Sequence, residues 1–214
     1  MSAAAQRTSP VQVAVFAKAP IPGEVKSRLV PLLGQADAAE LHATLVRRAL
    51  ATAREARIGP VSLWCTPETG HPFFAACAAA FDVSLQEQRG GHLGERMARA
   101  FERLLDSGPA LLVGSDCPAL RADDLRAAAG SLATHDVVIQ PAEDGGYVLV
   151  GLWKAVPGIF EGVRWGESNV MRDTRSRLRS AGATWREMPV RWDVDRPEDY
   201  RRLLASGLLA EEGR

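Results

Sequence analysis

The alternation of short apolar runs with longer helical patterns is the feature that most constrains the fold of this chain. Strand-like runs at 11–16, 61–66 and 110–114 are separated by amphipathic segments such as 37–57 and 93–105. Parallel strands require long crossover connections, and buried parallel strands are continuously apolar. The sequence therefore predicts an α/β fold, a three-layer α/β/α sandwich with a mostly parallel sheet.

The length of the chain favours one domain. A chain of 214 residues with 46% hydrophobic residues can bury one sizeable core. We expect a single domain over 11–205, with tails at 1–10 and 206–214. The remaining predicted elements are strands at 81–85, 137–139, 147–152 and 184–190 and helices at 72–80, 123–132, 169–181 and from about 196 onward.

The charge balance excludes several classes of protein. The chain has 26 basic and 26 acidic residues, so it has no long-range field that would gather nucleic acid or an anionic membrane. Its three cysteines lack the C-x-x-C spacing of a zinc site. With no spanning segment and no signal-peptide pattern, we expect a cytoplasmic monomer or homodimer that binds small molecules.

The loop after the first strand carries three cations. Lys18, Lys26 and Arg28 lie in a segment stiffened by Pro22 and Gly23. In an open α/β sheet, ligands bind at the carboxyl ends of strands, and such a loop could hold a di- or triphosphate. The loop has neither the G-x-x-x-x-G-K spacing of a P-loop nor the G-x-G-x-x-G turn of a dinucleotide-binding fold. A solvated loop with exposed charges is the alternative.

Carboxylates follow two of the predicted strands. The apolar run 110–114 ends in Ser115 and Asp116, which places a hard oxygen ligand for Mg²⁺ at the sheet edge. Asp116 could instead cap the following turn. Asp193 and Asp195 follow the last predicted strand, where alternation would send one of them toward the site. The sequence thus indicates one metal carboxylate and two candidates for a second.

An acidic glycine turn joins the two strands predicted at 137–139 and 147–152. Two glycines beside a carboxylate and an aromatic ring allow close approach of backbone to a ligand, although a plain hairpin is equally compatible. The residues of this turn are Glu143, Asp144, Gly145, Gly146 and Tyr147.

The histidines form no motif. His42 and His135 are expected at the surface or on the side of a helix, and His92 lies in a loop that could close on a ligand. The sequence also has no evident Ser/His/Asp or Cys/His set, so covalent catalysis is not indicated.

Five motifs occur in order along the chain. They are FAKAPIPGEVKSRL at 16–29, LGERMARAF at 93–101, GSDCPAL at 114–120, PAEDGGY at 141–147 and DVDRPED at 193–199. Together they resemble a bacterial family described as glycosyltransferase-like, over about residues 11–200. That family lies within the nucleotide-diphospho-sugar transferase (GT-A) superfamily, related to 2-phospholactate guanylyltransferase and to molybdenum-cofactor-type nucleotidyltransferases.

The resemblance implies a GT-A, Rossmann-like fold and a role for each motif. It implies a nucleotide lying across the first loop, a metal on Asp116 with Asp195 or, alternatively, Asp193, and an acceptor or sugar pocket at Glu143 to Tyr147. Lys26 and Asp116 would be the catalytic residues. The first loop lacks the Gly-Gly-x-x-x-Arg pattern of better-known relatives, so the resemblance does not identify which nucleotide base is bound. The implied nucleotide- and phosphate-binding residues are Lys18, Pro22, Gly23, Lys26, Arg28 and Ser115.

These observations predict a Mg²⁺- or Mn²⁺-dependent transferase. The expected reaction joins a nucleoside triphosphate to a small phosphorylated acceptor and releases pyrophosphate, which requires positioning and charge neutralisation but no protein nucleophile. A GT-A glycosyltransferase that uses a nucleotide sugar is the first alternative. A nucleotide-binding module without catalysis is the second, favoured if Asp193 and Asp195 both point away from Asp116.

Overall fold

The computed structural model describes residues 9–209, so most of the tail predicted at 1–10 and part of that predicted at 206–214 lie outside it. The strands are β1 (Gln12–Lys18), β2 (Val61–Thr66), β3 (Ser84–Glu87), β4 (Ala110–Gly114), β5 (Val137–Pro141), β6 (Tyr147–Leu152) and β7 (Trp185–Glu187). The α-helices are α1 (Val30–Leu33), α2 (Gln35–Ala56), α3 (Pro72–Phe81), α4 (Leu93–Leu105), α5 (Ala122–Ser131), α6 (Val170–Ser180) and α7 (Pro197–Ser206). Among the described residues, no helix is long and apolar enough to cross a membrane.

The strands form one sheet in the order β3-β2-β1-β4-β6-β5-β7. Strand β6 runs antiparallel to β4 and β5, and the other neighbouring strands pair in parallel. The mostly parallel α/β fold is therefore confirmed. Two strands, β3 and β7, have a boundary that differs from the prediction by more than two residues. Helix α3 continues to Phe81 and ends on Asp82 in the left-handed region, which moves β3 to 84–87, and β7 is shorter than the predicted 184–190.

The core lies on both faces of the sheet, as the alternation along β1 shows. Val13 and Val15 pack on one face, whereas Ala14 and Phe16 pack on the other. This division is the two-residue period of a strand buried on both sides. The first face is covered by α2, α3 and α5, through residues that include Val46, Leu50, Phe74, Leu125 and Ala128. The second face is covered by α4 and α6, through residues that include Met97, Phe101, Met171 and Leu178.

A third apolar cluster ties the segments around the carboxyl edge of the sheet together. It joins Leu29 from a 3-10 helix at Ser27–Leu29 to Trp192 and Val194, which precede α7. Backbone N–H of Val194 donates to the carbonyl oxygen of Asp116 at 2.9 Å. Packing and hydrogen bonding therefore hold the first loop, the end of β4 and the segment before α7 against one another.

Candidate functional site

A cleft with two lobes opens where the parallel strands end. One lobe has a volume of about 370 Å³ and the other about 340 Å³. Asp116 and Asp193 line both lobes and mark their junction. The first is called the basic lobe and is further lined by Lys18, His42, Thr66, Gln88, Arg96 and Ser115. The second is called the acidic lobe and includes Asp144, Gly146, Trp165 and Glu167, with Tyr147 shared between the two.

Asp116 follows the central strand β4 and is the best-defined group of the junction. Its Oδ1 lies 2.5 Å from Nζ of Lys26 and 3.8 Å from Nδ1 of His42. Burial opposes ionisation of this carboxyl, but the charge of Lys26, and after it the proximity of His42, outweigh burial and hold the pKa of Asp116 well below its usual range. Asp116 is therefore ionised at neutral pH, and half of its side chain remains exposed to the cleft.

Lys26 is an inner partner of Asp116, with its side chain 4% exposed. Its backbone adopts a left-handed conformation with φ 48°, and its Nζ donates to the carbonyl oxygen of Val194 at 2.7 Å. The two contacts of Nζ, with Asp116 and with the carbonyl oxygen of Val194, are therefore both made within the protein. Lys26 consequently joins the first loop to the end of β4 and to the segment before α7, while Lys18 and Arg28 remain exposed.

Pro22 and Gly23 shape the first loop. The N–H of Glu24 donates to the carbonyl oxygen of Ile21 at 3.0 Å, and Gly23 has φ +84°. Proline followed by a glycine of positive φ is the pattern of a type II turn. These two residues therefore set the path of the loop between Lys18 and Lys26, and both residues are exposed.

The two acids of the last motif point to different partners. Asp195 forms an exposed ion pair with Arg28, whereas Asp193 lines the cleft with Asp116. Burial first, and then the charges of Asp144 and Asp116, raise the pKa of Asp193 to about 6. The alternate residue of the prediction, Asp193, is thus the acid brought to Asp116. The prediction preferred Asp195 as the second metal ligand, and this preference is corrected. The backbone of Val194 is hydrogen-bonded to Asp116 and Lys26, so the acids on either side of it, Asp193 and Asp195, diverge.

The carboxylates fit a divalent cation that is shared with a phosphate ligand. Within residues 9–209, no group of three or more His, Cys, Asp or Glu could hold a metal by itself. Mg²⁺ commonly takes one or two carboxylates and completes its shell with water and substrate phosphates. Asp116 and Asp193 provide such a pair. The pKa of Asp193 is raised by burial first and then by the charges of Asp144 and Asp116, and a cation would offset all of these effects. Their oxygen donors also suit Mn²⁺.

The glycine turn supplies the acidic lobe. Oδ1 of Asp144 accepts a hydrogen bond from the N–H of Gly146 at 2.8 Å. Gly145 has φ +91°, and a Cβ there would lie 2.1 Å from the carbonyl oxygen of Ser168, so this position requires glycine. The ring of Tyr147 packs edge-on against Trp165, with centroids 6.0 Å apart, and burial raises the pKa of its hydroxyl.

Glu143 does not line either lobe. Its carboxylate accepts two hydrogen bonds from Arg202 of α7, at 2.7 and 3.1 Å, and these bonds hold its pKa below the usual range. Its assignment to an acceptor pocket is therefore corrected. The residue follows the strand end as predicted, but its side chain turns outward to the helix.

His42, Gln88 and Arg96 were missed as cleft residues. His42 is buried on α2, and its Nε2 donates to the carbonyl oxygen of Lys18 at 2.9 Å, which turns Nδ1 toward Asp116. Of the two predicted positions for His42, the side of a helix is therefore found and the surface is not. Its spacing from Ala38 and Leu45 places it on the apolar face of the helix, a signal that was present in the sequence.

Comparison with known proteins places the chain in a family. The family model described as an uncharacterized protein conserved in bacteria (DUF2064) matches residues 48–167. Comparison with curated proteins gave no match. A solved structure from Desulfovibrio desulfuricans G20, provisionally described as a nucleotide-diphospho-sugar transferase, is 29% identical with a TM-score of 0.81, over 95% of this chain and 98% of that one.

Two further solved structures share the fold at lower identity. CMP:2-keto-3-deoxy-manno-octonic acid synthetase in complex with CTP is 13% identical with a TM-score of 0.58, over 95% of this chain and 100% of that one. Rv0371c from Mycobacterium tuberculosis H37Rv, in complex with manganese, is 22% identical with a TM-score of 0.52, over 92% and 99%. The chain belongs to the DUF2064 family and has the GT-A-like fold of the nucleotidyl- and sugar-transferase superfamily.

Proposed function

We propose that the protein is a Mg²⁺-dependent nucleotidyltransferase that joins a nucleoside triphosphate to a small phosphorylated acceptor and releases pyrophosphate. One observation carries this proposal: the ionised Asp116 lies at the junction of two lobes of opposite character. A cleft of this form can hold two substrates on either side of one carboxylate. The transferase character of the structural neighbours supports the same class of reaction.

The triphosphate belongs in the basic lobe. Lys18 is 45% exposed there, and Arg96 enters the lobe from α4. Arg28 lies on the same loop as Lys18, and its pair with Asp195 is exposed on both sides, so exchange of that partner for a phosphate costs little. Each charge-assisted hydrogen bond to phosphate contributes about 1.5–3 kcal/mol. Lys26 acts indirectly, by orienting Asp116.

The transfer itself requires charge neutralisation and alignment. Asp116 and Asp193 would hold the divalent cation, which would neutralise charge on the triphosphate oxygens. An acceptor phosphate oxygen attacks the α-phosphorus in line, and pyrophosphate leaves with the bonding electron pair. Lys18 and the other cations of the basic lobe stabilise the leaving group. This chemistry explains why the cleft needs no serine or cysteine nucleophile.

The acceptor belongs in the acidic lobe, with its phosphate at the Asp116 end. Among residues 9–209, no Lys, Arg or His lines this lobe, and its acids include Asp144 and Glu167. The remainder of the acceptor should therefore carry no further negative charge. The same lining favours a second candidate, a GT-A glycosyltransferase whose nucleotide sugar places an uncharged sugar beside Tyr147 and Trp165.

One experiment separates these functions. The protein is incubated with Mg²⁺, each nucleoside triphosphate and a panel of sugar phosphates, and then with nucleotide sugars and neutral acceptors. Pyrophosphate release indicates nucleotidyl transfer, and release of free nucleoside diphosphate indicates glycosyl transfer. Nucleotide binding without either product would identify a non-catalytic module and overturn the proposal. Asp116→Ala should abolish the product, while Asp123→Ala, an exposed acid on α5, serves as the matched control.

A further inference from the structure

Arg202 of α7 contacts two segments that carry acids of the cleft. Its guanidinium donates to both carboxylate oxygens of Glu143, at 2.7 and 3.1 Å. Its Cζ also lies 4.4 Å from the centroid of the Trp192 ring, within the range of a cation–π contact. Glu143 directly precedes Asp144 in the chain, and Trp192 directly precedes Asp193. One side chain therefore contacts the neighbour of each acid, although Arg202 itself lines neither lobe.

The helix that carries Arg202 is fixed against the protein. Leu203 is fully buried in the third apolar cluster, which also contains Trp192. At the start of the helix, Oδ2 of Asp199 accepts hydrogen bonds from two backbone N–H groups, at 3.1 and 2.7 Å. Trp192 is itself only 9% exposed, whereas Glu143 is an exposed residue. Arg202 thus ties the exposed glycine turn to a fixed helix and a fixed ring.

Backbone pairing between the two segments stops before the acids. The N–H of Glu143 donates to the carbonyl oxygen of Arg191 at 2.9 Å, as part of an isolated parallel bridge. Beyond this bridge, no backbone hydrogen bond joins the two segments among residues 9–209. Asp144 and Asp193 both line the acidic lobe, and like charges in one cleft repel each other. Arg202 therefore links the segments at the point where their backbone pairing has ended.

We propose that Arg202 is a positioning residue that sets the separation of Asp144 and Asp193 across the acidic lobe, and this inference rests on the proposed function. Loss of Arg202 would release the glycine turn from Trp192, and repulsion would part the two acids. A divalent cation at Asp116 and Asp193 would then lose a fixed ligand and the nearby charge of Asp144. Binding of the metal and of the acceptor should weaken together, while the fold is retained because the ion pair of Arg202 is exposed.

The affinity for Mn²⁺ alone gives the first test, measured from the paramagnetic resonance of the free ion. Arg202→Met should weaken Mn²⁺ binding by about threefold to tenfold, less than the loss of a direct partner of a metal ligand causes. Removal of a positive charge that acted only through space would instead strengthen binding. The direction of the change therefore separates positioning from simple electrostatics.

Arg175→Met is the matched control. Arg175 of α6 makes a similar two-bond pair with Glu187, at 2.8 and 2.7 Å, and neither residue lines the cleft. Arg175 is also the less exposed of the two arginines, so its loss should cost at least as much stability, yet Mn²⁺ binding should match that of wild type. Unchanged or stronger Mn²⁺ binding in Arg202→Met, or an equal loss in Arg175→Met, would overturn the inference.

Kinetics of the transfer reaction give the second test. At saturating Mg²⁺, Arg202→Met should raise the KM for the acceptor by about threefold to tenfold, while the KM for the triphosphate stays as in wild type. Glu143→Gln in the Arg202→Met background should add no further loss, because both substitutions break one contact. Additive losses would overturn the role of Glu143 in the link. Wild-type protein that binds Mn²⁺ but forms no product would overturn the proposed function, whereas the Mn²⁺ comparison would still decide the role of Arg202.

Discussion

Replacement of Lys26 by Met tests the inner ion pair of the cleft. The substitution keeps the length of the side chain but removes the charge that faces Asp116 and the donor to Val194. Removal of one partner of a fully buried pair costs about 3–5 kcal/mol. Asp116 is 49% exposed, so water replaces part of the lost interaction, and we expect a loss of about 1.5–3 kcal/mol in the free energy of unfolding. For a domain of this size, the melting temperature should fall by roughly 3–12 °C.

The pH dependence of this loss provides an internal check. Because the pKa of Asp116 is lowered in the folded protein, its ion pair stabilises the fold above the unfolded pKa of about 3.9 and is lost as pH falls below that value. Urea unfolding at pH 7 and pH 3 should therefore show a difference between wild type and Lys26→Met that shrinks in acid. Lys154→Met is the control, since that lysine is 61% exposed and should cost under about 1 kcal/mol. A Lys26→Met protein as stable as wild type at pH 7 would refute the reasoning.

Three further substitutions have expected outcomes. Asp193→Asn should raise the unfolding free energy at pH 7 without metal by about 1–2 kcal/mol. The pKa of Asp193 is raised to about 6 in the folded protein, so ionisation of this carboxyl destabilises the wild-type fold as pH rises from about 4 to 6. Urea unfolding at pH 4 and pH 7 checks this, and an equal effect of the substitution at both pH values would contradict it. Gly145→Ala should cost about 2–4 kcal/mol in thermal unfolding, because of its positive φ and the nearby Ser168 carbonyl. Glu143→Gln should change stability by less than about 1 kcal/mol, since its pair with Arg202 is exposed, and a larger loss would contradict that description.

The fold followed from local patterns. The apolar runs of β2, β4 and β6 and the helical spacing of α4 were long enough to set their boundaries without knowledge of tertiary contacts. The boundary of β3 was misplaced because apolar Phe81 ends a helix, and its apolar character alone does not distinguish helix from strand. The 3-10 turn at Ser27–Leu29 depends on Leu29 packing beneath α2 and α7, a contact between distant parts of the chain.

The site was predictable at strand ends and less so elsewhere. Asp116 was found because an apolar strand stops abruptly at a carboxylate. The choice between Asp193 and Asp195 depends on the bond between Val194 and Asp116, which sequence spacing does not contain. The burial of Lys26 likewise depends on its left-handed backbone and on partners far along the chain.

The most direct test of the account is the metal dependence of nucleotide binding at Asp116. Affinities for the preferred triphosphate are measured with Mg²⁺ and with EDTA for wild type, Asp116→Ala and the control Asp123→Ala. The account predicts that Mg²⁺ strengthens binding to wild type and to the control, and that this strengthening disappears in Asp116→Ala. An unchanged effect of Mg²⁺ in Asp116→Ala would contradict the assignment of the metal and the proposed reaction centre.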